Sequence, residues 1–262
     1  MRIKTFMELD FMPNLGSFRK NIAESSESHK SKIVLNLDFV LDSSLLLSKA
    51  LTFLDRTSKY VCAFKINRHL SLPLGLDKLK IIVQEAHDKG VPIIMDCKIN
   101  DIGSTNTIIA NKYFDVGFDA VIANPFVGWD EGLAPVFQSA KKRRKGVILL
   151  IYMSHKGASE GYGQQVIGED GKIKPQYIVF AEKALKWNAD GAIVGATYPE
   201  KIEEIRTVLK GKIPIYSPGI GIQGGKITEA LSAGADYLLI GRSIIQSESP
   251  EDTLKQYLAI IQ

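Results

Sequence analysis

Charged side chains at the ends of short apolar runs are the residues whose types and spacing could do chemistry. Asp96 and Lys98 lie two positions apart in PIIMDCK, so in a β-strand they point to the same side, and Cys97 between them points to the other. Asp38 lies near the end of KIVLNLDF, and Lys65 near the end of VCAFKI. Because a buried charge is costly unless it is paired, these carboxylates and ammonium groups are expected to form one network in which each charge keeps the next ionised.

Such a network could perform acid–base chemistry on a bound substrate. An ammonium group held between carboxylates stays protonated despite burial, stabilises negative charge that develops nearby, and can then donate its proton. Taken singly, each of the four residues could instead be an exposed charge or half of a structural salt bridge. The presence of all four favours a functional set.

Two glycine-containing segments late in the chain predict a phosphate site. SPGIGIQGG covers residues 217–225, and GRS covers residues 241–243. Glycines permit close approach of the backbone, whose N–H groups can hold a dianion, and Arg242 can add a charged, bidentate contact. Glycine-rich turns alone could be simple chain corners, but their combination with Gly241 and Arg242 favours a small anionic ligand.

The elements that must position these residues follow from a regular alternation along the chain. From Lys32 onward, short β-branched runs alternate with segments of helical period, for example from Leu76 to a capping Gly90. Parallel strands are predicted at residues 32–39, 61–66, 92–98, 120–124, 146–152, 191–195, 213–217 and 237–241. Eight such strands close a (β/α)8 TIM barrel, an α/β fold whose active site lies at the C-terminal strand ends. The alternative, an open doubly wound sheet, usually has five or six strands and carries its phosphate glycines after the first.

The predicted organisation is a single domain with an N-terminal extension. Residues 1–31 are polar and broken by Pro13 and Gly16, so they are interpreted as the extension, helical near Phe18 to Ser25. Residues 32–262 form the predicted barrel domain. The segment from Met153 to Lys174 contains five glycines and is interpreted as too irregular for a regular element, so we expect a mobile lid there.

Composition excludes several classes of protein. The 33 basic and 29 acidic residues nearly cancel, which argues against nucleic acid or a membrane surface as the partner. The basic run at residues 141–145 ends a predicted helix, where cations complement the helix dipole. No apolar run approaches the ~18 residues of a membrane span. Cys62 and Cys97 lie in apolar runs, which is typical of reduced core cysteines and predicts a cytoplasmic protein.

The third predicted strand and the residues after it resemble a known family signature. Asp96, Lys98, Asp101, Ile102 and Thr105 match the D-x-K-x-x-D-I-x-x-T pattern of orotidine 5′-monophosphate decarboxylases. The resemblance continues through LNLDFV and AFKIN before the signature, and through YMSHKGA, VGATYPE, SPGIGIQGG and IGRSI after it, in the family's order. It therefore covers nearly the whole chain after the extension.

The resemblance implies an activity and a role for each matching residue. The activity is decarboxylation of orotidine 5′-monophosphate to uridine 5′-monophosphate (UMP), the last step of de novo pyrimidine biosynthesis, in a homodimer. Lys98 would protonate C6 of the pyrimidine, and Lys65, Asp96 and Asp101 would complete the charged array. The remaining contacts would be Asp38, Lys65 and Thr105 to ribose hydroxyls, Ser154 to the pyrimidine edge, Gln223 from the phosphate side toward the base, and Ile102, Pro218, Gly219, Gly224, Gly241 and Arg242 elsewhere on the substrate. Asp101 and Thr105 would reach into the neighbouring subunit's site.

Neither a metal nor a cofactor is expected. The sequence has no Cys/His set with zinc spacing and no Walker-type motif for magnesium with a triphosphate. His155, beside Ser154, is interpreted as a solvated neighbour. Two alternatives remain open: a related sugar-phosphate decarboxylase of the 3-keto-L-gulonate 6-phosphate type, which binds magnesium, and a non-catalytic nucleotide-binding barrel. Lys65, the Ile102 to Thr105 continuation, YMSHKGA and Gln223 favour the nucleotide enzyme over the sugar-phosphate enzyme. The presence of Lys65, Asp96, Lys98 and Asp101 argues against a non-catalytic barrel.

Overall fold

The computed structural model describes residues 17–40 and 42–261, and eight parallel strands in it form a closed barrel. The order around the barrel is β1, β10, β9, β8, β5, β4, β3, β2, and β6 and β7 form a separate hairpin. The strands are β1 (Ile33–Asn36), β2 (Ala63–Asn67), β3 (Ile93–Ile99), β4 (Ala120–Ala123), β5 (Gly146–Tyr152), β6 (Gln165–Ile167), β7 (Ile173–Pro175), β8 (Gly191–Val194), β9 (Ile215–Pro218) and β10 (Tyr237–Ile240). The predicted (β/α)8 barrel is confirmed.

Helices alternate with the barrel strands, and most of them cover the outer face of the barrel. They are α1 (Ser17–His29), α2 (Ser43–Thr57), α3 (Arg68–Asp88), α4 (Gly103–Val116), α5 (Ala134–Arg143), α6 (Ala158–Tyr162), α7 (Gln176–Lys186), α8 (Pro199–Leu209), α9 (Ile227–Ser232), α10 (Arg242–Ile245) and α11 (Pro250–Ile261). The helix predicted from Leu76 is the second part of α3, which begins at Arg68 and is kinked at Gly75 (φ 69°). No helix of the described ranges is both long and apolar enough to cross a bilayer.

The barrel strands are buried on both faces, which explains their continuous apolar runs. All seven residues of β5 are buried. Alternate side chains, such as those of Ile148 and Leu150, point into the barrel, whereas Val147 and Leu149 pack against the surrounding helices. The same alternation decides whether a polar side chain at a strand end faces the barrel interior or the surrounding helices.

Three aspartates tie the N-terminal ends of neighbouring strands together. Asp119, Asp190 and Asp236 each precede a barrel strand, and each carboxylate accepts a hydrogen bond from a backbone N–H at the start of the preceding barrel strand in the chain. The donors are Ile93 (2.9 Å), Val147 (2.9 Å) and Ile215 (2.8 Å). These bonds link adjacent strands at the base of the barrel, opposite the predicted site.

Helix α1 closes the base of the barrel. Phe18 and Ile22 are each 1% exposed and belong to the same apolar cluster as the inward side chains of the strands. Arg19 donates hydrogen bonds to the carbonyl of Lys212 (3.1 Å) and to Asn188 Oδ1 (3.1 Å), and lies 3.5 Å from Asp190. The helix expected near Phe18 to Ser25 is present, and the domain boundary at residue 31 stays a prediction.

The segment from Met153 to Lys174 contains regular elements, so the expectation that it is too irregular was wrong. It holds α6 and the antiparallel hairpin of β6 and β7, in which Gln165 pairs with Pro175. The hairpin turns at Asp170 and Gly171, and Gly171 takes a left-handed conformation (φ 76°). A D-G turn between two short apolar stretches is a hairpin signal that the high glycine content obscured.

Candidate functional site

A pocket of about 310 Å³ opens at the C-terminal ends of the barrel strands. Side chains from β2, β3 and the segment after β1 supply the charged wall, and the loops after β9 and β10 supply the opposite wall. The predicted residues that line it are Asp38, Lys65, Asp96, Lys98, Ser154, Pro218, Gly219, Gln223, Gly241 and Arg242. The structure therefore brings predicted residues from six separate segments of the chain to one site.

The charged residues form the expected network. Lys65 Nζ lies 2.9 Å from Asp96 Oδ2 and 3.7 Å from Asp38 Oδ1. Lys98 Nζ lies 2.6 Å from Asp96 Oδ1. The carboxylate of Asp96 therefore holds two ammonium groups, one on each oxygen.

Burial and charge act in opposite directions on this network. Burial works against ionisation of Asp96, but the charges of Lys65 and Lys98 outweigh it and lower the pKa of Asp96 to about 2. Burial likewise works against the charged form of Lys65, and Asp96 and Asp38 overcome it, so the pKa of Lys65 is raised. Both groups are ionised at neutral pH, which gives the pocket fixed charges before any substrate binds.

Lys98 lies on an irregular part of β3. The pairing of β3 with β4 shifts register between Met95 and Ile99, and Lys98 has a left-handed backbone (φ 46°). A non-glycine residue in this conformation costs about 1 kcal/mol or more and is maintained by the surrounding structure. Cys97 is buried in the layer between barrel and helices, on the side predicted for it. The bulge thus turns the Lys98 ammonium group into the pocket.

Four predicted residues do not line this chain's pocket: Asp101, Ile102, Thr105 and Gly224. Asp101 Oδ1 accepts a hydrogen bond from the N–H of Ile102 (2.7 Å), whose side chain is 66% exposed, and Thr105 is half-buried on α4. The fully buried Asn106 accepts a hydrogen bond from the N–H of Asp101 (3.0 Å) and fixes this turn. These residues lie beside the site but outside it.

The glycine-rich loop after β9 folds tightly over the edge of the pocket. Gly219 has φ 99°, and a Cβ there would lie 2.9 Å from both Gln223 Oε1 and Ser154 Cβ. A Cβ on Gly225 would lie 2.7 Å from the carbonyl oxygen of Gly219, so this position cannot carry a side chain without moving the loop. Ser154 Oγ donates a hydrogen bond to Gln223 Oε1 (2.9 Å). The loop is thereby joined to the segment after β5.

Sequence reasoning missed two asparagines and the apolar floor of the pocket. Asn36 and Asn67 line the pocket, two residues before Asp38 and two after Lys65. Because strand side chains repeat every two residues, both positions could have been found from the charged residues already chosen. His155, interpreted as a solvated neighbour of Ser154, is exposed and also lines the pocket. The apolar floor of the pocket is formed by inward side chains of β4, β5 and β8, namely Ile122, Leu150 and Ile193.

The fold and the pocket define a class of protein: a (β/α)8 barrel with an ammonium–carboxylate array facing two glycine-containing loops. A model of the orotidine 5′-phosphate decarboxylase / HUMPS family matches residues 31–257. The chain belongs to this family, which confirms the resemblance inferred from its signature.

Relatives and solved structures agree with the family match. The orotidine 5′-phosphate decarboxylase of Thermococcus kodakarensis is 37% identical over 227 residues, which are 87% of this chain and 95% of that protein. The Pyrococcus abyssi enzyme of the same name is 37% identical over 86% of this chain and 96% of its own length. The crystal structure of orotidine 5′-monophosphate decarboxylase from Methanocaldococcus jannaschii, complexed with the inhibitor BMP, has a TM-score of 0.73 and 32% identity over 88% of this chain and 99% of that chain.

Proposed function

We propose that this protein decarboxylates orotidine 5′-monophosphate to UMP, the last step of de novo pyrimidine biosynthesis. The protein is an enzyme of the carboxy-lyase class. The observation that carries the proposal is the ammonium group of Lys98, held 2.6 Å from Asp96 in a pocket whose opposite wall contains Gly241 and Arg242. Relatives with the decarboxylase name match over most of the chain.

The chemistry of the reaction calls for this arrangement. Cleavage of the bond between C6 and the carboxylate carbon releases CO₂ and leaves the electron pair in an sp² orbital at C6, which the ring delocalises poorly. Stabilisation must then come from positive charge fixed beforehand, which Lys98 supplies. Lys98 donates its proton to C6 and recovers one from solvent. Every step uses groups of the chain itself, and we propose that the enzyme needs no metal or cofactor.

The remaining pocket residues suit the other parts of the nucleotide. Arg242 and the backbone near Gly219 and Gly241 can bind the phosphate with charge-assisted hydrogen bonds. Asp38 and Lys65 lie where they can bind ribose hydroxyls. Ser154 and Gln223, already joined by a hydrogen bond, would bind the pyrimidine edge and link it to the phosphate side, while Pro218 packs beside them.

We also propose that two chains share their active sites in a homodimer. Asp101, Ile102 and Thr105 match the family signature but lie outside the pocket of their own chain. Large apolar side chains are exposed nearby on α4 and after β4: Ile108 is 62% exposed and Phe126 is 69% exposed. A second copy covering this surface would bury those apolar groups. The same contact could place Asp101 and Thr105 of one chain at the pocket of the other chain. A cytoplasmic location is proposed from the free, buried Cys62 and Cys97.

One assay tests the proposed activity directly. Purified protein is mixed with orotidine 5′-monophosphate in the presence of a chelator, and the loss of substrate absorbance is followed together with the formation of UMP. Turnover that is unaffected by chelator is expected. Turnover of 3-keto-L-gulonate 6-phosphate that requires magnesium would instead support the sugar-phosphate alternative, and tight UMP binding without turnover would support a non-catalytic barrel.

A further inference from the structure

We infer that Asn106 is a positioning residue, whose buried amide holds Asp101 in place for the active site of the neighbouring subunit. Asn106 lies in the first turn of α4 and is fully buried, whereas Asp101 lies in the exposed bend between β3 and α4. Because Asn106 is inaccessible, it can act on a substrate only through the residues that it holds. This inference rests on the proposed function with shared sites, and it names a residue that the sharing requires.

The first observation is that one amide binds both polar groups of the Asp101 backbone. Asn106 Oδ1 accepts a hydrogen bond from the N–H of Asp101 (3.0 Å), and Asn106 Nδ2 donates one to the carbonyl oxygen of Asp101. Nδ2 donates a second hydrogen bond to the carbonyl oxygen of Gly132 (3.0 Å). The N–H group needs an acceptor and the two carbonyl oxygens need donors, so the side chain must be an amide in this orientation.

The second observation is that the same amide is anchored to the turn after β4. Gly132 belongs to the irregular turn Trp129–Leu133, in which Glu131 has a left-handed backbone (φ 52°). Helix α4 begins directly against this turn, because a Cβ on Gly103 would lie 2.8 Å from the carbonyl oxygen of Glu131. The bend that carries Asp101 is therefore held between the start of α4 and the turn after β4.

A fixed backbone gives the Asp101 carboxylate a defined direction. Asp101 Oδ1 accepts the hydrogen bond from Ile102, which leaves Oδ2 for another group. In the proposed dimer that group is the ammonium of Lys98 in the neighbouring chain. Lys98 Nζ has three N–H donors and uses one of them on Asp96, and its side chain is 37% exposed. A carboxylate displaced by about 1 Å would lose this contact, and a misplacement of that size can lower a rate about a hundred-fold.

The test asks which half of a shared site the Asn106 variant damages. Asn106→Ala removes all three hydrogen bonds of the amide and should lower kcat/KM about a hundred-fold, in a protein that is still a dimer by gel filtration. In a hybrid with Lys98→Ala, one site combines Lys98 of the Asn106→Ala chain with Asp101 of the other chain and is intact. An equal mixture of these two proteins should therefore recover up to about a quarter of wild-type activity. A mixture of Asn106→Ala with Asp101→Ala should recover none, because neither chain supplies a correctly placed Asp101.

A second variant moves the same bend from its other side. Gly103→Ala places a Cβ against the carbonyl oxygen of Glu131 while the Asn106 amide is kept, and it should show the same pattern of recovery. If Asn106→Ala does not form a dimer, Gly103→Ala decides the test. The matched control is Asn111→Ala, further along α4, which removes a hydrogen bond from Ser139 and should leave kcat/KM unchanged.

The outcomes separate this inference from the proposals on which it rests. Near-normal turnover of both Asn106→Ala and Gly103→Ala would overturn the inference. Recovery with Asp101→Ala would also overturn it, as would a lack of recovery with Lys98→Ala when Asp101→Ala does recover, since either result places the defect outside the donated half of the site. No recovery for Asp101→Ala with Lys98→Ala, despite subunit exchange, would overturn shared sites and this inference with them. A wild type that does not turn over orotidine 5′-monophosphate would overturn the proposed function, and again this inference with it.

Discussion

At the scale of single residues, the site depends on one carboxylate that serves two ammonium groups. Asp96 contacts Lys65 on one oxygen and Lys98 on the other. Lys65 is almost fully buried, whereas the side chain of Lys98 is 37% exposed. The buried lysine is therefore suited to fix Asp96, and the more accessible lysine to meet the substrate.

Replacement of Lys98 should separate binding from chemistry. We expect Lys98→Ala to lower kcat by about a thousand-fold or more, because it removes both the fixed positive charge and the proton donor. UMP affinity should change far less, since the phosphate contacts remain. Steady-state kinetics and UMP titration measure the two effects, with the exposed Lys226→Ala as a control. Near-normal turnover in Lys98→Ala would remove Lys98 from the mechanism.

The acid stability of the protein should depend on Asp96. Its pKa is lowered from 3.8 to about 2, so the carboxylate stabilises the fold above about pH 4, and this contribution is lost as the pH falls toward 2. The difference corresponds to about 2 kcal/mol. The pKa of Lys65 is raised, so its ammonium group stabilises the fold at every pH below the ordinary pKa of a lysine. That stabilisation is lost only in strong alkali. Urea unfolding at pH 4 and pH 2 should show a loss about 2 kcal/mol larger in the wild type than in Asp96→Asn. Parallel losses would contradict this account of the network.

At the scale of elements, β3 shows what a sequence can and cannot predict. Its limits were predicted as 92–98 and observed as 93–99, because a run of buried β-branched residues marks a barrel strand clearly. The left-handed backbone of Lys98 could not be predicted, since no glycine stands there and the conformation is imposed by pairing with β4. The hairpin of β6 and β7 was not predicted because its strands are three residues long and none of their residues is buried. Such strands lack the run of buried apolar residues that marks a barrel strand.

Helix α1 should contribute more to stability than an N-terminal extension would. Phe18→Ala is expected to lower the free energy of unfolding by about 3 to 5 kcal/mol, because it leaves a cavity at the barrel base. Urea denaturation measures the loss, and the exposed Lys20→Ala on the same helix serves as control. A loss below about 1 kcal/mol for Phe18→Ala would show that α1 is only loosely attached.

Arg19 on the same helix offers a second, electrostatic test. Burial raises the pKa of Asp190 despite the hydrogen bond from Val147 and the charge of Arg19. Arg19→Met removes that charge and leaves the carboxylate buried beside an apolar chain, which should cost about 3 kcal/mol at neutral pH. The loss should shrink as the pH falls and Asp190 becomes protonated. The measurement is urea unfolding of both proteins at pH 7 and pH 4, and a pH-independent difference would contradict the role of Asp190.

At the scale of the whole molecule, the placement of Asp101 outside its own pocket leads to a complementation test. If sites are shared, a hybrid of Asp101→Ala and Lys98→Ala chains contains one intact site, made of Lys98 from the first chain and Asp101 from the second. An equal mixture of the two inactive proteins should then recover up to about a quarter of wild-type activity after random exchange. Subunit exchange is checked independently with tagged chains. Exchange without any recovery would count against shared sites.

The docking of α1 also has a consequence for how the chain is made. The carbonyl group that Arg19 contacts belongs to Lys212, 193 residues further along. At about 5 to 20 residues per second, a ribosome needs roughly 10 to 40 s to supply that partner. Until then the nascent α1 has no completed barrel base to pack against. The apolar side chains of Phe18 and Ile22 therefore remain available to chaperones or to neighbouring chains. Newly synthesised protein should therefore be most prone to misassembly before its second half emerges.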